Sequence, residues 1–273
     1  MNTISLGPLA IPLPLLLLFL AAVSAQWLYA RQVDRSDVAL AQQGERGLFI
    51  ALLLGVVGAR VVYVLTWSSA YLAAPWSVLN IRDGGFDPWG GVLSALCTLV
   101  WMLVRGYGPP RAMATAGGAA LLAFSFAQLG TQHYLQALHP ALPDLRLVDL
   151  DGRIQPLQAW RGRPLVINVW ATWCGPCRRE MPVLAAAQQT HTEVDFVFAN
   201  QGEEVSDVRT YLQQSTLDLR GVLLDPGSEV SKHYGVRGFP TTLFIDAEGK
   251  LQHARVGELS AGSLAEGLEA IRQ

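Results

Sequence analysis

Apolar residues follow two different patterns along this chain. Up to about residue 130 they fall in long blocks. Leu6–Ala30 is nearly free of charge, with a Leu15-Leu16-Leu17-Leu18-Phe19-Leu20 centre, and Gly47–Leu65 is interrupted only by Arg60. Gly91–Val104 and Ala112–Leu129 follow. A helix needs about 20 apolar residues to cross a bilayer, so the pattern predicts about four transmembrane helices, of which Gly91–Val104 is the shortest. Pro8, Pro12 and Pro14 crowd the start of the first block, where a helix tolerates proline best. The Ala and Gly content of the fourth suits close helix packing.

After residue 139 the apolar runs shorten and alternate in period. Leu145–Val148 and Gly152–Ile154 predict a small hairpin, and Pro156–Trp160 a helical turn. Pro164–Trp170 predicts a buried central strand, Cys174–His191 a helix kinked at Pro182, and Val194–Ala199 a second strand. Val205, Val208, Tyr211 and Leu212 share one face of a helix over Glu203–Gln214. Val222–Leu224 reads as a strand and Ser228–Tyr234 as a helix. Thr241–Ile245 and Leu251–Val256 form a hairpin around Asp246-Ala247-Glu248-Gly249, and Ser260 caps a last helix ending near Arg272. Strands alternating with helices predict an α/β layered domain with a central mixed sheet. The expected architecture is a helical membrane domain over residues 1–139 and an α/β domain over 140–273, joined by the short connector His139-Pro140-Ala141-Leu142-Pro143.

Charge supports the division and orients it. Residues 1–139 hold seven Arg and no Lys against five Asp and Glu, a net of +2; residues 140–273 hold 13 Lys and Arg against 17 Asp and Glu, a net of −4. A hydrophobic content of 51% with 15% charged residues is too apolar for an ordinary soluble protein. Arg31, Arg35 and Arg46 lie in the first connection and Arg105 and Arg111 in the third, whereas the second holds only Arg82. The positive-inside rule therefore puts connections one and three in the cytoplasm, and both termini on the opposite side. The expectation is a multi-pass protein of a bacterial inner membrane with its C-terminal domain in the periplasm. A signal peptide cleaved after Val23-Ser24-Ala25 is the competing reading, but the stretch lacks a basic n-region. No basic cluster points to nucleic acid.

Cys174 and Cys177 stand where the central strand ends and helical sequence begins. A cysteine at a helix N-terminus is favoured as thiolate by unpaired N–H groups and the helix dipole, which makes it a nucleophile near neutral pH. Cys177, one turn further in, can close a disulfide with it. A structural zinc site would need two more ligands. The only other cysteine is Cys97, and none of the five histidines lies at ligand spacing. The pair reads as a dithiol/disulfide exchange centre with no metal.

The stretch Asn168-Val169-Trp170-Ala171-Thr172-Trp173-Cys174-Gly175-Pro176-Cys177-Arg178-Arg179-Glu180-Met181-Pro182 resembles the TlpA/ResA branch of the thioredoxin superfamily. So does Gly235-Val236-Arg237-Gly238-Phe239-Pro240-Thr241-Thr242-Leu243-Phe244-Ile245-Asp246, which matches a cis-proline segment and its strand. The resemblance covers roughly Pro143–Gln273. It implies a thioredoxin-like fold, a membrane-tethered protein disulfide reductase, and no cofactor beyond the Cys174–Cys177 disulfide. Cys174 would attack and Cys177 resolve. Trp173, Gly175, Pro176, Phe239, cis-Pro240 and Thr241 would meet the substrate. Asn168 stands where thioredoxins proper carry a proton-moving Asp, so Glu180 is the candidate proton acceptor, although an exposed helix charge is the ordinary reading of such a residue. Implied partners are disulfide-containing secreted, cytochrome c or copper-assembly proteins, and a separate transmembrane electron donor.

The membrane half resembles the first half of prolipoprotein diacylglyceryl transferase at Leu6-Gly7-Pro8-Leu9-Ala10-Ile11, at Gly58-Ala59-Arg60-Val61-Val62-Tyr63-Val64-Leu65 and at Arg82-Asp83-Gly84-Gly85-Phe86-Asp87-Pro88-Trp89-Gly90-Gly91. Trp89 replaces the family's His, Pro12-Leu13-Pro14-Leu15 replaces its Arg-Trp-Tyr-Gly run, and its later signature is absent. The half therefore reads as a reused scaffold, with lipid transfer or a non-catalytic thiol-binding module as the other readings of the whole chain. Arg60 is a candidate lipid-headgroup contact, against an arginine snorkelling to the interface. Cys97 reads as a small packed apolar residue.

Overall fold

The structure, a computed structural model, describes residues 3–6, 9–33, 36–73, 75–79, 83–137 and 141–272. Gly7, Pro8, Arg35, Arg82 and the expected boundary at 139/140 lie outside those residues. In chain order, strands β1 (Thr3–Leu6) and β2 (Leu9–Pro12) pair with each other, and helices α1 (Leu13–Gln32), α2 (Val38–Thr66), α3 (Ser68–Ala73), α4 (Pro88–Val104) and α5 (Pro110–Ala137) follow. The C-terminal part holds β3 (Arg146–Asp149), β4 (Ile154–Pro156), β5 (Leu165–Trp170), α6 (Gly175–Thr190), β6 (Asp195–Gln201), α7 (Val205–Ser215), β7 (Val222–Asp225), α8 (Glu229–Tyr234), β8 (Thr241–Ile245), β9 (Leu251–Val256) and α9 (Ala261–Ala270).

The chain divides into two compact units. One comprises Ile11–Ser68 and Gly85–Tyr134, the other Met1–Ala10, Ser69–Gly84 and Leu135–Gln273. Thus Ser69–Gly84, assigned by sequence to the membrane half, belongs with the C-terminal unit.

In the helical unit, α1 begins at Leu13 rather than Leu6: Leu9–Pro12 is extended, Pro12 disfavours helix at Ile11 before it, and Pro14 falls in the first turn, where a helix tolerates proline. Among the described residues two helices, Val38–Thr66 and Pro110–Thr131, are long and apolar enough to cross a membrane, and Pro88–Val104 is a shorter apolar helix. Asp37 caps α2 by accepting from Leu40 N at 3.0 Å. Asp87 caps α4 by accepting from Gly90 N at 2.5 Å, with Pro88 in the first turn. Tyr29, Leu48, Leu99, Met102, Ala112, Met113 and Ala116 form the core of this unit.

Helices α2 and α4 pack closely along a seam of small residues. Gly55, Gly58 and Ala59 of α2 face Gly91, Ser94 and Ala95 of α4. Small residues let helix backbones approach, which is how apolar helices associate where no hydrophobic drive separates them from lipid. A Cβ at Gly91 would lie 3.1 Å from Ala59 Cβ and 3.2 Å from the Gly55 carbonyl oxygen. Gly91→Leu is expected to wedge the seam and destabilise the unit by about 1–3 kcal/mol. Thermal unfolding in detergent checks this, with the exposed Leu93 changed to Ala as a control that leaves the midpoint nearly unmoved.

One expectation in this unit is corrected. Cys97 is exposed on α4 rather than packed, because the face of α4 that turns inward carries Leu99 and Met102. The Arg60 guanidinium donates to the Gly85 carbonyl at 2.7 Å and lies 5.6 Å from the Phe86 ring centroid. It is thus bonded to the chain's own loop before α4.

The C-terminal unit is built on a seven-stranded mixed sheet of order β4-β3-β7-β6-β5-β8-β9. β5, β6 and β7 run parallel; β8 is antiparallel to β5, β9 to β8, and β3 to β7. Every residue of β5 is buried, so both of its faces are covered. Val166 and Trp170 join one apolar layer with Met181, Leu184, Leu264 and Leu268 of α6 and α9. Leu165, Ile167 and Val169 join the other with Leu157, Val230 and Tyr234. This two-residue alternation puts Asn168 on the α6 side. Trp170 fills the core, fully buried with its ring 5.4 Å from that of Tyr211. Ser260 caps α9 in a reciprocal box with Ser263. Tyr71 is buried beside the start of α9: a Cβ at Gly262 would lie 2.6 Å from Tyr71 Cε2, and the Tyr71 hydroxyl donates to buried Asp83 at 2.8 Å.

Candidate active site

The site lies where β5 hands over to α6. Cys174 is the N-cap of α6, with Gly175 and Pro176 opening its first turn. Its Sγ accepts from Cys177 N at 3.2 Å, so the helix N-terminus does point a backbone N–H at this sulfur. The two cysteines form a disulfide across a Cα separation of 5.2 Å. Cys174 is 5% exposed and Cys177 fully buried. Cys174 is thus the only one of the two with any surface exposed.

Beside the pair, β8 brings in the proline loop. Val169 of β5 pairs with Thr241, and the Phe239–Pro240 peptide is cis. Gly257 N donates to the Pro240 carbonyl at 2.9 Å and Thr241 Oγ1 to the Gly238 carbonyl at 2.7 Å, which hold the loop from both sides. Phe239 is half-buried, and its ring centroid stands 5.9 Å from that of Trp173, nearly edge-on. Trp173 is 68% exposed. It forms an outward rim rather than a cover over the sulfurs.

Glu180 overturns the reading of an exposed helix charge. It is fully buried, because the segment between β9 and α9 closes over it. Leu259 N donates to Oε2 at 2.8 Å, and Asn168 Nδ2 donates to Oε1 at 2.7 Å. Asn168 Nδ2 also donates to Thr242 Oγ1 at 3.0 Å, and Asn168 Oδ1 is buried with no partner. Burial pushes the Glu180 carboxyl up to about 8, against the two hydrogen bonds that favour its charged form; nearby Glu258 raises it further. A carboxyl poised near 8 can take a thiol proton and return it near neutral pH. The covering segment is tied down by Arg179, whose Nε and Nη2 donate to Glu258 Oε2 at 2.9 and 2.7 Å.

The structure thus gathers Trp173, Cys174, Gly175, Pro176, Cys177, Glu180, Phe239, Pro240 and Thr241 around one end of the sheet. Arg60 belongs to the helical unit. Sequence reasoning missed Thr242, the Leu259 N–H and Glu203. Glu203 follows the C-terminal end of a parallel strand, where ligand-facing loops of such sheets lie, and that was the available signal.

Comparison with known proteins agrees with both halves. Residues 137–270 match the Redoxin family model and residues 2–131 that of prolipoprotein diacylglyceryl transferase. The chain is 31% identical over 156 residues to thiol-disulfide oxidoreductase ResA of Geobacillus thermodenitrificans (strain NG80-2), covering 56% of this chain and 89% of the relative. It is 31% identical over 152 residues to thioredoxin-like protein YneN of Bacillus subtilis (strain 168), covering 54% and 84%. Among solved structures, the exposed lipoprotein thioredoxin Etrx1 of Streptococcus pneumoniae strain TIGR4 is 27% identical over 46% of this chain and 98% of its own, with a TM-score of 0.41. A thioredoxin-like sheet, a redox-active Cys174–Cys177 pair at a helix N-terminus and these sequence relatives agree: the chain belongs to the ResA-type thiol-disulfide oxidoreductases of the redoxin family.

Proposed function

We propose that this oxidoreductase works as a disulfide reductase, held at the membrane by its helical half and acting on the periplasmic side. The reduced Cys174 thiolate attacks one sulfur of a substrate disulfide; an S–S bond forms to Cys174 and the substrate's second sulfur leaves as thiolate. Cys177 then gives its proton to Glu180 and attacks Cys174 Sγ. The substrate's remaining sulfur leaves and takes a proton. Two electrons have passed to the substrate, and the enzyme holds its disulfide. The observation that carries this is the asymmetry of the pair: Cys174 is reachable at the tip of α6, and Cys177 is sealed beneath it.

The Gly175-Pro176 dipeptide supports the reducing direction, being that of thioredoxin. A reductase outside the cytoplasm needs electrons from a separate transmembrane donor. Disulfide-bearing secreted, cytochrome c or copper-assembly proteins are the substrates this reading assigns. The arginine distribution supports the periplasmic side. So does the packing of Ser69–Gly84 with the C-terminal unit, since that segment is the sequence-predicted second connection and lies on the non-cytoplasmic side of that scheme. The membrane half serves as scaffold, embedded in lipid.

Equilibration with glutathione buffers tests direction. A reductase is expected to have a potential near that of thioredoxin, about −270 mV, whereas about −120 mV would make this chain an oxidant.

A further inference from the structure

We propose that Glu203 is a positioning residue that sets protein-substrate recognition by holding the turn that presents Trp173. The carboxylate stands in the loop between β6 and α7 and takes three donors. Oε2 accepts from Thr172 N at 2.7 Å and from Asn200 Nδ2 at 2.6 Å, and Oε1 accepts from the Thr172 hydroxyl. Thr172 directly precedes Trp173. Both its backbone N–H and its side chain are thus bound to one carboxylate group, the kind of acceptor that makes strong hydrogen bonds.

The other side of Trp173 is fixed independently. Cys174 is held as the N-cap of α6, and its N–H donates to the Ala171 carbonyl at 3.2 Å. Removing the Glu203 carboxylate therefore leaves the reacting sulfur in place and frees the residue pair before it. The indole of Trp173 makes its ring contact with Phe239 from an exposed position, so its direction depends on the backbone beneath it. Loss of Glu203 loosens the Trp173–Phe239 rim while the sulfur chemistry continues. The inference rests on the reading that this rim meets protein substrates.

The test uses the full chain in detergent with dithiothreitol as recycling reductant. Parent, E203A, T172V, W173A and the E203A/W173A double variant are compared in reduction of insulin and of a small aromatic disulfide too small to span the rim. E203A is expected to raise the KM for insulin about tenfold, the size of a charge-assisted hydrogen bond or two, with the small-disulfide rate kept within about twofold. T172V, which removes one hydroxyl and no backbone group, is expected to raise KM about threefold. In the W173A background, E203A adds nothing further, because the coupling between the two is complete. The proposal is overturned if E203A slows both substrates alike, if it leaves the insulin KM unchanged, or if its effect adds in full to that of W173A. If W173A alone leaves the insulin KM unchanged, the rim reading of Trp173 falls first and this inference falls with it.

Discussion

Cys174→Ser is expected to lower insulin reduction by at least about a thousandfold, because a serine hydroxyl does not ionise near neutral pH and cannot replace a thiolate nucleophile. Cys177→Ser should behave differently. Cys174 keeps its seat at the head of α6 and still attacks, but nothing resolves the mixed disulfide, so enzyme accumulates covalently joined to substrate. Non-reducing gels with a trapped substrate disulfide read this directly. The contrast follows from the unequal exposure of the two sulfurs. A chain in which both serine variants lost activity without trapping substrate would not use the order of attack proposed above. Full activity in Cys174→Ser would remove that sulfur from the mechanism and leave the non-catalytic thiol-binding reading.

The second large effect is a dependence of stability on pH that Glu180→Gln removes. The Glu180 carboxyl is raised from 4.5 to about 8 in the fold, with desolvation as the main cause. Between those values the native protein holds a proton that the unfolded chain has released, so stability falls as pH rises from about 4.5 to about 8 and levels off above. The full difference amounts to roughly 5 kcal/mol by linkage. The oxidised parent is therefore expected to lose thermal stability from pH 5 to pH 9, and Glu180→Gln to lose much less. The glutamine amide keeps the shape and one acceptor for the Leu259 N–H, and Asn168 Oδ1 is the unpartnered acceptor its N–H can turn to. Denaturation of both proteins across that range is the measurement. Parallel curves would mean that the fold does not raise the Glu180 carboxyl, and the argument that it takes up and returns the Cys177 proton near neutral pH would be lost.

Much of the C-terminal unit was legible because its signals are local. The continuous apolar run ending at Trp170 gave β5, the turn Asp246-Ala247-Glu248-Gly249 gave the β8–β9 hairpin, and Ser260 gave the start of α9. The two cysteines were visible for the same reason. Glu180 was misread because its burial depends on Leu259, 79 residues downstream, and no periodicity within α6 reports that closure. Glu203 escaped notice because its partners Thr172 and Asn200 come from two strands' ends that only the parallel pairing of β5 and β6 brings together. Among the membrane helices, apolar blocks located α2, α4 and α5 but understated their lengths, since Glu45, Arg46 and His133 continue helices that composition alone would end. Cys97 was misplaced because a helix that is apolar on all sides gives no sequence cue to its inner face.

The C-terminal unit draws Tyr71 and Gly84 from the first half of the chain. Arg255 of β9 donates to the Gly84 carbonyl at 3.3 Å and pairs with Glu266 of α9 at 3.0 Å, while the ring of Tyr71 occupies the space beside Gly262 that a side chain would otherwise fill. A recombinant fragment beginning at residue 140 would keep both cysteines yet lose this borrowed piece, baring the first turn of α9. A cut at the junction would therefore separate the C-terminal unit from Ser69–Gly84, a segment that packs with it.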